Sequence, residues 1–199
     1  MKLFPAFVKL ANRRVVVIGG GPMATLKLKA LQEAGAHITV VAPEVTPEIE
    51  AAGVEVVKRP FQRTDLDGAW LVVAAATSSV NKAVAEASEA RQVFVNAVDD
   101  PPNASLYLGG VVRRAGVIFA ISTNGRAPAL AGLLREGLDA MLPTKDLEQW
   151  LSEAVRLRER WRADGIPVSQ RRPALLDSLV RLYETHAKGN SVTTQPTTK

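Results

Sequence analysis

The sequence contains no cysteine and only two histidines, His37 and His186. The lack of cysteine excludes disulfides, thiolate metal ligands and a cysteine nucleophile. Neither histidine has a partner at the spacing of a metal site, so we treat both as structural or solvated. We therefore expect no His/Cys metal centre and assign no metal-binding residue.

Long hydrophobic runs are also missing. No apolar stretch approaches the roughly 20 residues that a membrane-spanning helix needs. The first residues lack the apolar region and cleavage pattern of a signal peptide. Apolar residues nevertheless make up 47% of the 199 residues, which is ample for a buried core. We expect a cytoplasmic protein that makes no membrane contact.

Charge is unevenly distributed. Residues 1–112 carry 11 basic and 11 acidic side chains, whereas residues 113–199 carry 14 and 9, which accounts for the whole net charge of +5. A basic half attracts polyanions, either nucleic acid or a ligand with several carboxylates. Solvated surface arginines that bind nothing are the alternative.

A glycine-rich turn near the start carries the strongest local signal. The β-branched run Val15–Ile18 predicts a buried parallel strand, and the apolar spacing in Thr25–Gly35 predicts a helix that ends at a glycine. Between them lies Gly19-x-Gly21-x-x-Ala24, a dinucleotide fingerprint in its alanine-ended form. Gly19 permits the bend, Gly21 admits a pyrophosphate, and Ala24 keeps the helix close to the sheet. The predicted cofactor contacts here are Gly19, Gly21, Pro22, Met23 and Ala24. A purely structural glycine turn is the alternative reading.

Strand-like and helix-like segments alternate after this turn. Strands are predicted at residues 37–42, 54–57, 70–76 and 93–98, with helices at 47–53 and 81–89. This alternation predicts an α/β fold with a Rossmann-like open parallel sheet. Short β-like pieces follow at 105–108, 110–113 and 117–121, and then amphipathic helices at 129–141, 147–163 and 173–187. In the first of these helices the apolar stripe comprises Leu130, Leu133, Leu134, Leu138 and Met141.

Two loops at strand ends are further candidates for cofactor contacts. The second strand ends at Ala42 and Pro43, where a dehydrogenase usually has an acidic residue for the ribose; Glu44 lies just beyond. No arginine is present there for a 2′-phosphate, so NAD is favoured over NADP. Thr77 and Asn81 follow the fourth strand, although Thr77 could equally cap the next helix.

Asp99 is the main catalytic candidate, because it follows a strand and could take a proton from a substrate. A purely structural Asp-Asp-Pro-Pro turn, which would include its neighbour Asp100, is the alternative. Other polar residues at strand ends and turns are predicted to bind substrate: Asn96, Ser105, Ser122, Thr123, Asn124, Gly125 and Arg126. The alternatives are that Asn96 merely ends a strand and that the others, taken singly, are ordinary loop residues.

These motifs together resemble the dehydrogenase–chelatase module of siroheme synthases. The resemblance is carried by Gly19-Gly20-Gly21-x-x-Ala24, Lys29, Glu33–Ala36, Ala75–Thr77 with Asn81, Asn96-x-Val98-Asp99-x-Pro101, Ser105, Ser122–Gly125 with Pro128, and Leu133–Glu136. It covers about residues 1–185 and corresponds to a stand-alone form without the methyltransferase domain.

The resemblance implies a precorrin-2 dehydrogenase, in which NAD⁺ accepts a hydride and sirohydrochlorin is formed. It favours Asp99 as the catalytic residue and leaves Asp100 as a turn residue. In bifunctional members, Fe²⁺ is then inserted to give siroheme. It also implies a homodimer. The domains expected on this basis are a Rossmann domain (1–112), a mixed α/β dimerisation segment (113–145) and a helical C-terminal domain (146–188). The composition of residues 189–199, rich in Ser, Thr and Gln, predicts a disordered tail.

Three alternatives remain open at this point. One is a monofunctional dehydrogenase served by a separate chelatase. Another is a non-catalytic, NAD-sensing protein that binds nucleic acid, motivated by Arg156, Arg158, Arg160, Arg162, Arg171 and Arg172. No helix-turn-helix or RNA-binding signature accompanies these arginines, so we expect no nucleic-acid partner. The third is a dehydrogenase that acts on an unrelated small acid.

Overall fold

The computed structural model describes residues 3–190. The chain forms two compact units. The first comprises the chain up to Gly109 together with Ser122–Pro128, and the second comprises Gly110–Ile121 and the chain from Ala129 onward. The division differs from the expected one, because the predicted dimerisation segment and helical domain fall mainly into one unit. Within the described residues, no helix is long and apolar enough to cross a membrane.

The first unit is built on a five-stranded parallel sheet, as the alternating pattern predicted. Its strands are β1 (Arg14–Ile18), β2 (His37–Val41), β3 (Glu55–Val57), β4 (Leu71–Ala74) and β5 (Phe94–Ala97). They lie in the order β3-β2-β1-β4-β5. The order reverses between β1 and β4, and in such sheets ligands bind at the carboxyl ends beside the reversal. The Rossmann-like fold is therefore confirmed.

Three helices connect these strands, namely α1 (Pro22–Glu33), the single turn α2 (Pro47–Glu50) and α3 (Ser78–Glu89). Short 3-10 helices occur at Arg63–Leu66 and Pro101–Asn103. Both long helices begin three residues earlier than the apolar spacing predicted, because their first turns contain cap and loop residues that lie outside the apolar stripe.

The end of α1 explains the glycine predicted there. Gly35 has a φ of +73° and follows the C-cap residue Ala34. The amide of Ala36 donates to the carbonyl of Leu31, and the amide of Gly35 donates to that of Gln32. This is a Schellman motif, in which a residue without Cβ adopts the left-handed conformation at low cost.

The β-branched strands are buried on both faces. Val15, Val17 and Val40 pack on one side with Leu28 of α1. Val16, Ile18 and Val72 pack on the other side with Val84 of α3. Two helical layers therefore cover the sheet. This explains why apolar residues follow one another along the strands instead of alternating with polar residues.

The second unit contains the antiparallel hairpin β6 (Gly110–Arg114) and β7 (Val117–Ile121), followed by α4 (Pro128–Met141), α5 (Thr144–Ala163) and α6 (Val168–Asn190). The first residue of α4, Pro128, still belongs to the first unit. Helix α6 begins before its predicted start and includes Pro173. Gly189 and Asn190 belong to α6, contrary to the predicted tail, and residues 191–199 lie outside the described residues.

The predicted strand at residues 105–108 does not form. Instead, the amides of Ser105 and Leu106 both donate to the carbonyl of Val95, at 2.9 Å each. This segment therefore covers the outer edge of β5 without becoming a sixth strand.

Burial in the second unit is sparse. Among the described residues, its apolar side chains below one-tenth exposure are Val112, Ala131 and Leu147. The predicted stripe of α4 is largely exposed, with Leu133 at 66% and Met141 at 82%. The amphipathic pattern correctly predicted the helix, but the described residues leave most of its apolar face uncovered.

Candidate functional site at the carboxyl edge of the sheet

The three glycines after β1 sit where two other loops meet. Gly19 has a φ of +119°, and a Cβ added there would lie 2.2 Å from the carbonyl oxygen of Ala75. A Cβ on Gly20 would lie 2.0 Å from the carbonyl oxygen of Glu44. A Cβ on Gly21 would meet nothing within 4 Å. The loop is therefore tightly packed at Gly19 and Gly20, while Gly21 faces open space.

Helix α1 begins directly at this opening. Gly21 is its N-cap and provides no side-chain cap, and Pro22 occupies the first turn. Ala24 is fully buried against the sheet, as predicted, and Met23 is 39% exposed. An open glycine backbone before an uncapped helix N-terminus matches the needs of a pyrophosphate, because free amides and the helix dipole both favour negative charge. The residues present thus fit a dinucleotide.

The loop after β2 is held against the glycine turn. Ala42 is buried, Pro43 is exposed, and the amide of Thr46 donates to the carbonyl of Gly20 at 2.9 Å. The hydroxyl groups of Thr25 and Thr46 are 2.8 Å apart. This pair of threonines, which the sequence did not single out, joins α1 to the β2 loop.

The loop after β4 completes this edge. Thr77 occupies the N-cap position of α3 but makes no side-chain cap bond; its hydroxyl lies 3.1 Å from that of Ser79. Asn81 is 2% exposed, and its Oδ1 accepts the amide of Ala76 at 3.1 Å. Asn81 therefore holds the loop through this internal hydrogen bond, whereas Thr77 is exposed. The predicted cofactor contacts of both residues stay predictions.

Asp99 lies in a turn immediately after β5. Its side chain is exposed, and its φ is +55°, a left-handed value that aspartate tolerates better than most residues. The β5 strand is two positions from β1 in the sheet, so the two strand ends are about 10 Å apart. The structure therefore places Asp99 on the same edge as the glycine turn.

Asp100 serves the turn, as the sequence indicated. Asn103 Nδ2 donates to both of its carboxylate oxygens, at 3.0 and 2.9 Å. The two adjacent aspartates thus differ, since one is tied to a neighbour and the other is exposed.

Asn96 and Ser105 hold the segment that follows Asp99. Asn96 Nδ2 donates to the carbonyl of Leu106 at 3.1 Å, and Ser105 Oγ accepts the amide of Val95 at 2.9 Å. Asn96 is 6% exposed, and its Oδ1 has no hydrogen-bond partner among the described residues. Both side chains thus brace the loop in this structure, and their predicted contact with substrate stays a prediction.

The predicted polar turn 122–126 lies beside the Asp99 loop. Gly125 has a φ of +71°, and a Cβ there would come within 3.0 Å of the Tyr107 ring and 3.9 Å of Pro101. Within the turn, Ser122 Oγ accepts the amide of Asn124, and Thr123 Oγ1 accepts that of Ala127, both at 3.1 Å. Arg126 is exposed. These residues therefore share an edge with Asp99, although both of their hydroxyls already accept backbone amides.

Two cations follow β3, whose carboxyl end adjoins that of β2. Arg59 binds Asp65 through two nitrogens, at 2.9 and 2.5 Å, and Lys58 pairs with Glu50. The Arg59 hydrogen bonds lower the pKa of Asp65, which is only 8% exposed. Both cations next to the β2 loop are thus already engaged by carboxylates.

The arginines of the second unit are partly engaged within the chain. Arg156 binds Glu153, Arg160 lies 3.5 Å from Asp164, and Arg171 donates to the carbonyl of Ile166. Hydrogen bonds from Arg156 and from Ser178 of α6 lower the pKa of Glu153 to about 2. In the part of the chain that the structure describes, no cluster of three or more metal-ligating side chains is present.

Comparison with known proteins identifies the family. Residues 6–110 match a family described as "Putative NAD(P)-binding". The chain belongs to this family. The prediction of a nicotinamide cofactor is thus confirmed at the level of NAD(P).

Relatives extend the likeness beyond this domain. The chain is 39% identical over 177 residues to siroheme synthase 3 of Aeromonas hydrophila and 37% identical over 177 residues to siroheme synthase of Salmonella typhi; each alignment covers 86% of this chain. The chain spans only 38% of the length of these relatives. Among solved structures it is similar to SirC, a precorrin-2 dehydrogenase, with a TM-score of 0.69, 26% identity and 88% of each chain covered. The resemblance to siroheme synthases is confirmed.

Besides Thr25 and Thr46, three further residues that shape this edge were not predicted from the sequence: Gly20, Asn103 and Tyr107. The run of three glycines was the available signal for Gly20. The Asp100-x-x-Asn103 spacing is typical of a turn that is closed by a hydrogen bond between side chains. Tyr107 gave no signal, because its contacts with Pro101 and Gly125 depend on the fold.

Proposed function

We propose that this chain is an NAD-dependent precorrin-2 dehydrogenase that forms sirohydrochlorin. The observation that carries the proposal is the exposed Asp99 in its left-handed turn, on the edge of the sheet where the open Gly21 backbone meets the N-terminus of α1. The likeness to SirC over most of both chains supports the choice of substrate. A bound NAD⁺ supplies the hydride acceptor.

In this proposal the chain's residues orient the reactants, and one of them accepts a proton. Removal of two hydrogens from the macrocycle sends one as hydride to NAD⁺ and releases the other as a proton. Asp99 is the group that takes this proton, because its carboxylate is exposed and no other described side chain binds it. The glycine turn and the loops ending at Pro43 and Thr77 fix the dinucleotide.

We propose NAD rather than NADP as the cofactor. A 2′-phosphate needs a free cation near the end of β2. Lys58 and Arg59, which follow the adjacent strand β3, are engaged by Glu50 and Asp65. Glu44 is exposed just beyond β2 and carries the charge that repels a phosphate.

The basic second half suits a substrate with several carboxylates better than nucleic acid. Among the six arginines that motivated the nucleic-acid alternative, Arg156, Arg160 and Arg171 already have partners in the chain.

Iron insertion, with Fe²⁺ as substrate, and a cytoplasmic location stay predictions from the resemblance and the sequence. A separate chelatase remains the alternative to iron insertion.

We further propose that the chain forms a homodimer through its second unit. The apolar stripe of α4 is exposed, and within the described residues the β6–β7 sheet has no third strand. An apolar patch of this kind marks an interaction surface, and an isolated two-stranded hairpin is only marginally stable in water. A second copy that covers both features explains how so small a core is maintained.

The deciding experiment is anaerobic incubation with precorrin-2 and NAD⁺, followed by absorbance spectra before and after Fe²⁺ is added. We expect NADH formation that depends on precorrin-2. Asp99→Asn keeps a residue that tolerates a positive φ but removes the carboxylate. We expect it to lose about 100-fold or more in turnover while NAD⁺ affinity changes little.

Glu89→Gln is the control, because Glu89 is exposed at the end of α3, near the opposite edge of the sheet. It should retain normal turnover. Unchanged turnover in Asp99→Asn would rule out the assigned role, and absence of NADH with precorrin-2 would rule out the dehydrogenase.

A further inference from the structure

We propose that Asp100 and Asn103 act as a clasp that positions Asp99, so that both are positioning residues for the dehydrogenation. The inference rests on the proposed function of Asp99 as proton acceptor. Asn103 Nδ2 donates to both carboxylate oxygens of Asp100, at 3.0 and 2.9 Å. The backbone amide of Asn103 also donates to the Asp100 carbonyl, at 3.1 Å. Side chain and backbone therefore close the same short turn.

This closed turn begins immediately after a strained residue. Asp99 has a φ of +55°, a conformation that persists in a non-glycine residue where the surroundings hold it. Asp100, at φ −135° and ψ 68°, leads directly into the 3-10 helix Pro101–Asn103. The clasp ties the end of that helix back to the residue next to Asp99. Without it, the Asp99 backbone is free to relax and its carboxylate moves.

Three further side-chain contacts anchor the rest of the loop but lie farther along the chain from Asp99. Tyr107 donates its hydroxyl to the carbonyl of Pro101 at 3.3 Å, and Ser105 Oγ accepts the amide of Val95 at 2.9 Å. Asn96 Nδ2 donates to the carbonyl of Leu106 at 3.1 Å. They fix the segment as a whole against β5. The clasp is therefore the side-chain contact nearest to Asp99 in sequence, and it acts on the turn itself.

The clasp also separates the roles of two adjacent carboxylates. Both oxygens of Asp100 are occupied by Asn103, whereas no described side chain binds the carboxylate of Asp99. Different surroundings commonly give neighbouring carboxylates different tasks. Here Asp100 maintains geometry, and Asp99 remains available for substrate.

The test uses Asn103→Ala and the exchange Asp100→Asn with Asn103→Asp. Asn103→Ala removes the clasp, and we expect kcat to fall roughly tenfold with a changed pH profile, because small displacements of a catalytic group are costly. The KM for NAD⁺ should change by less than about twofold, since the glycine turn is untouched. The exchange restores an amide–carboxylate pair with donor and acceptor reversed, so kcat should return to within about threefold of the original.

Asn12→Ala is the matched control. Asn12 also has a positive φ, of 59°, but precedes β1 at the opposite edge of the sheet. It should leave kcat and the pH profile unchanged. Circular dichroism and thermal unfolding of each variant separate a folding defect from misplacement of Asp99.

The outcomes distinguish the clasp from the role of Asp99 itself. If Asp99→Asn retains turnover, the proposed function of Asp99 fails whatever the clasp does. If Asp99→Asn is inactive while Asn103→Ala has normal kcat and pH profile, the clasp is overturned. Should Asn103→Ala not fold, a folded exchange variant decides: recovered kcat supports the clasp, and a folded but inactive protein refutes it.

Discussion

Gly19, Gly20 and Gly21 are consecutive, yet each meets different surroundings. Gly19 and Gly20 lie so close to the carbonyls of Ala75 and Glu44 that neither leaves room for a Cβ. Gly21 has an ordinary extended backbone and open space around it. Two of the glycines therefore serve the packing of the loops, and the third leaves open the space where we propose that the dinucleotide binds.

This difference predicts opposite consequences for two alanine substitutions. Gly20→Ala should lower the free energy of unfolding by about 3 kcal/mol, the upper end for overpacking, because backbone must move. Gly21→Ala should leave stability nearly unchanged but weaken NAD binding by about tenfold, roughly 1.4 kcal/mol. Urea denaturation and titration calorimetry measure the two effects.

Each glycine variant controls for the other. Equal losses of stability in both variants would contradict the packing argument. Full NAD affinity in Gly21→Ala would contradict the placement of the pyrophosphate.

At the scale of elements, Arg114 at the end of β6 joins three parts of the second unit. Its guanidinium donates to the side chain and carbonyl of Asp139 in α4, at 2.5 and 3.1 Å, and to Thr144 Oγ1 at the start of α5, at 2.9 Å. The hairpin and two helices therefore depend on one partly buried side chain. Nothing in the sequence distinguished it from Arg113.

Arg114→Ala should lower the free energy of unfolding by about 2 kcal/mol, because it leaves carbonyl and carboxylate groups without a donor. Arg113→Ala is the neighbouring control; Arg113 is exposed, so its loss should cost less than about 0.5 kcal/mol. Urea denaturation of both variants measures the difference. Similar costs for the two would show that Arg114 does not organise the unit.

Glu153 connects α5 to α6, and its contribution depends on pH. Arg156 and Ser178 lower its pKa from 4.5 to about 2. Because the pKa is lower in the folded state, the interaction stabilises the fold above about pH 4.5, and this contribution is lost as the pH falls toward 2.

Glu153→Gln should therefore reduce stability by about 1 kcal/mol at pH 7, a modest amount because solvent screens the exposed Arg156. The difference from the original protein should shrink in urea denaturation as the pH is lowered from 7 to 3. Glu148→Gln, at an exposed position of the same helix, should show no such trend. A difference that is the same at every pH would contradict the ionic explanation.

At the scale of the whole molecule, the two units differ in how they are stabilised. The first has apolar layers on both sheet faces, whereas the second buries few apolar side chains and exposes the stripe of α4. A protein rarely exposes such a patch unless something covers it. The proposed homodimer accounts for this contrast.

Leu133→Glu should convert the proposed dimer to a monomer, because it places a charge in the middle of the stripe. Light scattering should then give a mass near 21.3 kDa, against twice that for the original chain. Gln149→Glu adds the same charge at an exposed polar position of α5 and should remain dimeric. A monomeric original protein would refute the dimer outright.

The sequence predicted the parallel sheet and the nucleotide turn because both depend on local order. Unbroken β-branched runs, helical periodicity and a fixed glycine spacing are properties of short segments. It also predicted α4 and its apolar stripe. The boundaries were less accurate, as with α3 and α6, because cap residues carry no apolar signal.

The tertiary structure alone decided which side chains pack against one another and which stay exposed. Several contacts join segments whose pairing cannot be read from the order of residues. They are those of Gly20 with Glu44, of Arg114 with Asp139, and of Tyr107 with Pro101 and Gly125. The exposure of the α4 stripe likewise depends on what the rest of the chain leaves uncovered. Local patterns fix how each segment folds, whereas crowding and exposure arise only after the segments have packed together.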